Sequence, residues 1–233
     1  PTESGLPPLK HRALGIDAAR YQPRIDFAKA KAAGVEFAII KATEGYGYTH
    51  PNFFKFFSDA EAAGVHVGAY HFFRPDLRNP KAEAAHIHKT LGDKWGAMGL
   101  WLDIERPVDG FGVTVPPEKY AQTIEGDLRV LIEQVESLRP HGAFLGMYSG
   151  PNFIDTMLPR IGNLFIKYKW WIANYPFNYT DAYQPRLPKG FPPGQLAVWQ
   201  FDNGEATWSQ KIPGVTDLIG RPCKVDRNFF WRP

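Results

Sequence analysis

Short apolar segments alternate with amphipathic stretches along the first two thirds of the sequence, and this rhythm constrains the fold more than any other feature. The strand-like segments lie at residues 13–17, 35–43, 65–73, 99–105 and 143–149. Helix-like segments with apolar residues at i, i+3 and i+4 follow them at residues 25–33, 52–63, 81–95, 120–138 and 152–158. Strands that alternate with helices in this way pair in parallel and are covered by the helices.

The rhythm changes after residue 158. Three further strand-like segments, at residues 170–175, 196–201 and 225–230, are separated by Pro/Gly-rich stretches without helical periodicity. Because eight strands are enough to close a barrel with a filled interior, we predict a single, irregular eight-stranded β/α barrel of the α/β class. It has five β-α units followed by three strands with few or no helices. A doubly wound open sheet is the structural rival, and the late helix-free strands count against it.

Composition narrows the class of protein. We expect residues 1–12 to form an N-terminal arm or linker and residues 13–233 to form the barrel domain. The net charge is +3, but no block of Lys and Arg exists, so we expect no nucleic-acid partner. No apolar run approaches the ~20 residues of a membrane span. The single cysteine, Cys223, excludes an internal disulfide.

Signals for cofactors and metals are missing from the sequence. His86 and His88 are two residues apart on a predicted helix and therefore face different directions. The Gly45-Tyr46-Gly47 segment lacks the further glycines and the lysine of a phosphate-binding loop. We therefore expect neither a cofactor nor a metal ion.

The fourth predicted strand carries the most informative pair of side chains. Residues 100–105 read Leu-Trp-Leu-Asp-Ile-Glu, and the period of two places Trp101, Asp103 and Glu105 on one face. The Cβ atoms of the two acids are then roughly 6–7 Å apart. Repulsion between close carboxylates raises one pKa and keeps a proton near neutral pH, as an acid that cleaves glycosidic bonds requires. The structural alternative is a pair of acids in salt bridges at a barrel rim.

Other candidate site residues also lie at strand ends, where β/α barrels carry their active sites. Asp17 and Glu44 follow the first two strands, and Asp226 begins the last. Several carboxylates at one barrel mouth are costly to bury, which favours a functional explanation. The strand-end aromatic residues are Tyr70, Tyr148 and Tyr175.

Eight short motifs occur in a fixed order and together resemble the family 25 glycoside hydrolases, the muramidases of bacteria, phages and fungi. They are Gly15-Ile16-Asp17, Ile40-Lys41-Ala42-Thr43-Glu44-Gly45, Gly68-Ala69-Tyr70-His71-Phe72, Leu102-Asp103-Ile104-Glu105, Gly146-Met147-Tyr148-Ser149, Trp171-Ile172-Ala173, Trp199-Gln200 and Val225-Asp226. The resemblance extends from about Ala13 to Phe230. It implies a barrel with five β-α units and three further strands.

The resemblance also implies a reaction, which is hydrolysis of the β-1,4 bond between N-acetylmuramic acid and N-acetylglucosamine in peptidoglycan. Glu105 matches the family's general acid, and Asp103 matches the carboxylate that stabilises the charged sugar or orients its N-acetyl group. Asp17 and Asp226 match two further acids of the cleft.

Aromatic side chains complete the match. Tyr70, Tyr148 and Trp171 match residues that contact sugar. The sequence departs from the family around Arg20 and Arg106, which puts the preferred decoration of the glycan in doubt.

Two other functions remain open at this point. One is a chitinase-like or endo-N-acetylglucosaminidase barrel, and the other is a non-catalytic wall-binding pseudoenzyme. For the muramidase we expect a peptidoglycan glycan strand as the partner, a monomer, and action at the cell wall after secretion or in the periplasm. In that case any leader ahead of Pro1 has been removed; a phage endolysin released at lysis is the other origin considered.

Overall fold

The computed structural model describes residues 12–108, 112–180 and 183–231. Its strands are β1 (Arg12–Ala18), β2 (Arg24–Ile25), β3 (Phe37–Glu44), β4 (Tyr48–Thr49), β5 (His66–Phe72), β6 (Gly99–Asp103), β7 (Leu145–Ser149), β8 (Lys169–Ala173), β9 (Leu196–Asp202), β10 (Val215–Thr216) and β11 (Asp226–Trp231). Its α-helices are α1 (Phe27–Ala32), α2 (Phe53–Ala62), α3 (Pro80–Leu91), α4 (Ile124–Ser137), α5 (Pro151–Met157) and α6 (Gly162–Lys167).

Eight of the strands form a closed barrel. They pair in the order β1-β11-β9-β8-β7-β6-β5-β3, and β3 pairs with β1 to close the ring. The short strand β4 continues β3 as a hairpin, while β2 and β10 pair separately. In the described residues, α-helices follow the first five barrel strands and none follows β8 or β9. The structure therefore confirms the predicted barrel of five β-α units and three further strands.

Strand β11 differs in direction from the other barrel strands, and the sequence made no prediction of its direction. It runs antiparallel to both β1 and β9, whereas the other neighbouring barrel strands are parallel. A parallel connection requires a crossover, which is usually a helix. The described chain between β9 and β11 contains no helix. The first residue of β11 therefore lies at the barrel end where the other strands finish.

Side chains alternate between the two faces of each barrel strand, so the barrel wall separates an outer apolar layer from an inner one. On β6, Leu100 and Leu102 face outward and pack with the helices, as predicted, and Ile104 after the strand joins the same cluster. Trp101 faces the interior, where it packs with residues from the neighbouring strands. The interior cluster comprises Ala13, Phe37, Ile39, Tyr70, Trp101, Tyr148, Trp171 and Val198. This floor closes the barrel beneath the strand ends.

Two glycines make room for the large rings of that floor. A Cβ atom on Gly15 would lie 2.3 Å from the ring of Phe37, and one on Gly146 would lie 2.5 Å from the ring of Trp101. Real Cβ contacts are never so short, so the rings occupy the space that side chains at these positions would need. Gly15 lies two residues before Asp17, and Gly146 lies two residues before Tyr148. Each glycine is therefore on the same face of its strand as that inward-facing residue.

The ends of several elements differ from the sequence prediction. Helix α3 ends at Leu91 rather than at residue 95, because Gly92 adopts φ 50° and ψ −124°. Helix α4 begins at Ile124, after a separate 3-10 turn at Pro117–Lys119. The sequence analysis missed helix α6 because this helix has only six residues, which are too few to show a clear helical period.

Strands β6 and β8 are also shorter than predicted. β6 ends at Asp103, so Glu105 lies two residues beyond the strand, and β8 ends at Ala173, ahead of Tyr175. Pro107 has no N–H group and cannot continue a ladder. Arg12 is the first residue of β1, and the rest of the predicted N-terminal arm lies outside the described residues.

Candidate active site

A cleft of about 570 Å³ opens at the end of the barrel where the parallel strands finish. Most of the residues that the sequence singled out line this cleft: Asp17, Glu44, Tyr70, Asp103, Glu105, Tyr148, Trp171 and Asp226. Tyr175 is the exception. Its side chain is 42% exposed, and it reaches the site through its hydroxyl, which donates to Gln200 Oε1 at 2.6 Å.

The reversed direction of β11 explains how Asp226 joins this group. Asp226 is the first residue of β11 and pairs directly with Asp17, the last residue but one of β1. In an antiparallel ladder, directly opposite residues point to the same face. The two carboxylates are therefore neighbours although 209 positions separate them in the sequence.

The pair Asp103 and Glu105 lies on the opposite side of the ring from β11. Asp103 is 5% exposed, and its Oδ1 atom has no hydrogen-bond partner in the described part of the chain. Burial and then the charge of Glu105 raise the pKa of Asp103 well above its ordinary value. Burial raises the pKa of Glu105 to about 7, with a further increase from Asp17 and an opposing effect from Lys41. The pair therefore retains a proton near neutral pH.

Asp17 is buried but well supplied with donors. Its Oδ2 atom accepts from Gln200 Nε2 and from Asn228 Nδ2, both at 2.8 Å. Burial raises the pKa of Asp17 to about 6, and the two side-chain hydrogen bonds oppose this increase. For Asp226, burial and the charge of Asp17 raise the pKa to about 9, and Asp226 Oδ2 accepts from Gln200 Nε2 at 3.0 Å.

Three aromatic rings in tilted and edge-to-face contact form the floor of the cleft. Trp171 is 2% exposed, and its indole N–H donates to Asn228 Oδ1 at 2.8 Å. Its ring centroid lies 4.4 Å from that of Tyr148 and 6.3 Å from that of Tyr70. Since its N–H is already used, Trp171 offers a substrate only ring surface.

Glu44 lies in an ion-pair network at the side of the cleft. Its two carboxylate oxygens accept from Lys41 Nζ at 2.6 Å and from Arg74 Nη1 at 2.9 Å. Burial raises the pKa of Glu44, but the two cations outweigh burial and the net pKa lies below its ordinary value. Arg74 also binds Asp76 through two hydrogen bonds, at 2.7 and 2.8 Å. Glu44 is thus an ionised carboxylate whose oxygens are both in use.

Four polar residues of the site were missed by the sequence prediction, namely Lys41, Arg74, Gln200 and Asn228. Lys41 and Gln200 each interrupt an apolar strand, and a polar side chain in a buried strand was the available signal, whereas Asn228 follows two charged residues at the start of β11. Arg74 lies just after β5 and carried no such signal. Nothing in the sequence showed which partners these residues would meet.

The two arginines at which the sequence departs from the family occupy different places. Arg20 lines the cleft mouth, where its guanidinium lies 5.1 Å from the centroid of the Tyr21 ring and donates to the Tyr21 hydroxyl at 3.1 Å. Arg106 is exposed and lies outside the described lining of the cleft. Of the two, only Arg20 therefore borders the cleft as the described residues form it.

No three His, Cys, Asp or Glu side chains within residues 12–108, 112–180 and 183–231 are grouped so as to hold a metal ion. No helix in that part of the chain has the length and apolar character needed to cross a membrane.

Similarity to known proteins agrees with this geometry. Residues 16–209 match the family described as glycosyl hydrolases family 25. Lysozyme M1 of Streptomyces globisporus is 28% identical over 220 residues, which are 93% of this chain and 67% of that protein. The autolytic lysozyme of Clostridium acetobutylicum is 38% identical over 162 residues, which are 69% of this chain and 44% of that protein. The solved lysozyme of Streptomyces coelicolor shares the fold, with a TM-score of 0.72 at 24% identity over 94% of this chain and 91% of its own.

Proposed function

The chain belongs to glycosyl hydrolases family 25 and is a glycoside hydrolase of the lysozyme type, and we propose that it cuts the β-1,4 bond between N-acetylmuramic acid and N-acetylglucosamine in peptidoglycan. One observation carries the proposal. Asp103 and Glu105, two acids that are two residues apart in the sequence, lie in a cleft at the strand ends, and both have a raised pKa.

Glu105 is the proposed general acid. A catalytic acid works best when its pKa is near the working pH, because it then holds a proton and releases it readily. The pKa of Glu105, at about 7, meets this requirement. Glu105 lies beyond the end of β6 and is less buried than Asp103, which supports its contact with a leaving oxygen.

Asp103 is the proposed partner carboxylate, and it must be ionised when the bond breaks. Among the described residues no donor reaches its buried Oδ1 atom, which favours the protonated form. An N-acetyl N–H or a positively charged sugar beside Oδ1 would stabilise the ionised form. Bound substrate also shields Glu105 from water and favours its protonated form. Binding thus leaves the shared proton on Glu105.

The route through the transition state has two forms that use the same residues. Asp103 either stabilises the positive charge on the sugar directly or orients the substrate's own N-acetyl oxygen for attack at C1. In the second form no glycosyl-enzyme bond forms. Resemblance to the family favours retention of configuration.

The remaining cleft residues are proposed to bind the glycan strand. Asp17 and Asp226 provide carboxylate oxygens on the β11 side, and Glu44 provides charge on the other. The aromatic residues proposed to contact sugar are Tyr70, Tyr148, Trp171 and Tyr175. We propose that the protein acts as a monomer on the cell wall, outside the membrane.

Analysis of the cleavage products tests the proposal. Purified peptidoglycan is digested, the fragments are reduced with borohydride, and mass spectrometry identifies the reduced sugar. A muramidase leaves reduced muramic acid, which is the expected result. Reduced glucosamine would instead indicate a glucosaminidase on the same barrel. Tight wall binding without fragments would indicate a non-catalytic protein.

A further inference from the structure

We propose that Gln200 is a positioning residue, whose amide sets the direction of hydrogen bonding along one wall of the cleft. Four residues depend on it: Asp17, Asp226, Tyr148 and Tyr175. The inference rests on the proposed function for its catalytic consequences, whereas its structural part can be measured without any activity.

The hydrogen-bonding capacity of the Gln200 side chain is fully used. Gln200 lies on β9 and is 2% exposed. Its Oε1 atom accepts from the hydroxyls of Tyr148 at 2.8 Å and Tyr175 at 2.6 Å. Its Nε2 atom donates to Oδ2 of Asp17 at 2.8 Å and to Oδ2 of Asp226 at 3.0 Å. An amide has two N–H donors and one carbonyl oxygen with two lone pairs, so no capacity remains.

Only one orientation of this amide is compatible with its neighbours. A flipped amide would place the carbonyl oxygen against two carboxylates and the NH₂ group against two hydroxyls. That arrangement loses both N–H bonds to acids, and hydrogen bonds to charged groups are the stronger kind. The carboxylates of Asp17 and Asp226 therefore hold the amide in place, and the amide in turn holds the tyrosine hydroxyls.

The consequence is a wall that accepts hydrogen bonds. Each tyrosine has a single hydroxyl proton, and in both Tyr148 and Tyr175 it is given to Gln200. Toward the cleft these hydroxyl oxygens therefore offer lone pairs only. This side of the cleft therefore suits the donors of a sugar, its hydroxyl groups and its N-acetyl N–H.

The neutral amide donates to two acids that lie side by side and are hydrogen-bonded to each other. The titratable groups that face the cluster are Asp103 and Glu105 from the β6 side and Asp202 from β9. Asp202 is paired with Arg227 at 2.6 Å, on the outer side of β11. Lys41 acts on Asp103 and Glu105 from β3. Adding a further carboxyl at position 200 would therefore place negative charge among acids.

The substitution Gln200→Glu tests the proposal because it preserves size and removes the NH₂ group. The new carboxyl can donate one hydrogen bond at most, and only when protonated. We expect kcat/KM on peptidoglycan to fall at least ~10-fold at pH 7, the equivalent of one lost interaction. We also expect part of the activity to return at lower pH, where the new carboxyl is protonated and can donate, whereas Gln200→Leu, with no donor, should lose activity without recovery in acid.

The matched control is Gln195→Glu. Gln195 precedes β9 at the other end of the strand, and its amide donates to the backbone oxygen of Ile166 at 3.1 Å. This variant introduces the same charge change away from the cleft and should keep the wild-type pH profile. A role for Gln200 in stability alone would lower Tm without changing the pH profile.

Carboxyl titrations followed by 13C NMR separate this inference from the proposed function. In Gln200→Glu the titrations of Asp17 and Asp226 should move, and in Gln195→Glu they should not. Shifted titrations in a protein that never cleaves peptidoglycan would refute the function and leave the positioning role intact. Unchanged titrations and an unchanged pH profile would refute the positioning role.

If Gln200→Glu does not fold, Tyr175→Phe provides a second test, because it removes one of the two hydroxyl groups that donate to Gln200 Oε1. This variant should shift the titrations of Asp17 and Asp226 by less than Gln200→Glu would. Unchanged titrations in Tyr175→Phe would also refute the positioning role.

Discussion

The cleft contains two pairs of carboxylates that are built differently. Asp103 and Glu105 come from one strand end, two residues apart, and the buried Oδ1 atom of Asp103 lacks a hydrogen-bond partner in the described residues. Asp17 and Asp226 come from opposite ends of the sequence and pair across two antiparallel strands. Neutral side-chain amides donate to this second pair.

The difference teaches how one cleft can use similar acids for different tasks. Burial and mutual repulsion keep a proton on the first pair, which suits proton transfer. In the second pair the proton stays on Asp226, whose pKa is about 9, and donors from Gln200 and Asn228 oppose the effect of burial on Asp17. A carboxylate that is held by fixed donors is suited to binding and orienting a substrate.

The largest effect is expected at the first pair. Glu105→Gln keeps the shape of the side chain and removes its proton, and general acid catalysis is typically worth about 10²–10⁴-fold. Wall-clearing activity should fall by that factor while circular dichroism stays unchanged. A folded variant with near-normal activity would show that the two pairs do not differ in the way described.

A smaller loss is expected at the second pair. Asp17→Asn leaves a carbonyl oxygen that can still accept from both Gln200 and Asn228, but both hydrogen bonds lose their charged acceptor. Hydrogen bonds to charged groups are worth about 1.5–3 kcal/mol, which corresponds to about a 10–100-fold loss in kcat/KM. Steady-state kinetics on soluble glycan fragments measures this, and full activity would make Asp17 a structural acid only.

A shift in pH dependence should follow from removing the cation near the first pair. Because Glu105 must be protonated, activity falls as the pH rises through its pKa of about 7. Lys41 lowers that pKa, so Lys41→Met should move the alkaline limb to higher pH, by on the order of one unit. The exposed Lys55→Met variant, which loses only its ion pair with Asp59, is the control and should keep the wild-type profile. A displacement of the limb to lower pH would contradict the assignment.

The smallest effect concerns stability at the second pair. Burial and Asp17 raise the pKa of Asp226 from 3.8 to about 9. The folded state therefore binds a proton more tightly than the unfolded state, and stability falls as the pH rises from about 4 to about 9. Asp226→Asn removes this dependence, so the difference in Tm between pH 5 and pH 8 should shrink by at least ~2–4 °C, or about 1 kcal/mol. Calorimetry at the two pH values measures it, and an unchanged difference would place the pKa of Asp226 in its ordinary range.

Local pattern was enough to predict most of the barrel. Each β-α unit repeats within a few tens of residues, and the periods of two and 3.6 identify strands and helices without knowledge of their partners. Element ends were less predictable, as at Glu105, which was placed within a strand that ends at Asp103. The proton-holding pair was also local, since both acids come from one strand end.

The sequence by itself determined the order of strands and helices and the common face of Asp103 and Glu105, because these follow from spacing along one segment. Only the tertiary structure decided the direction of β11, and with it the contact between Asp17 and Asp226. It also decided that Gln200 meets four polar side chains at once. Such contacts join strands that are far apart in the chain, and the free energy of closing the barrel, rather than any local preference, selects them.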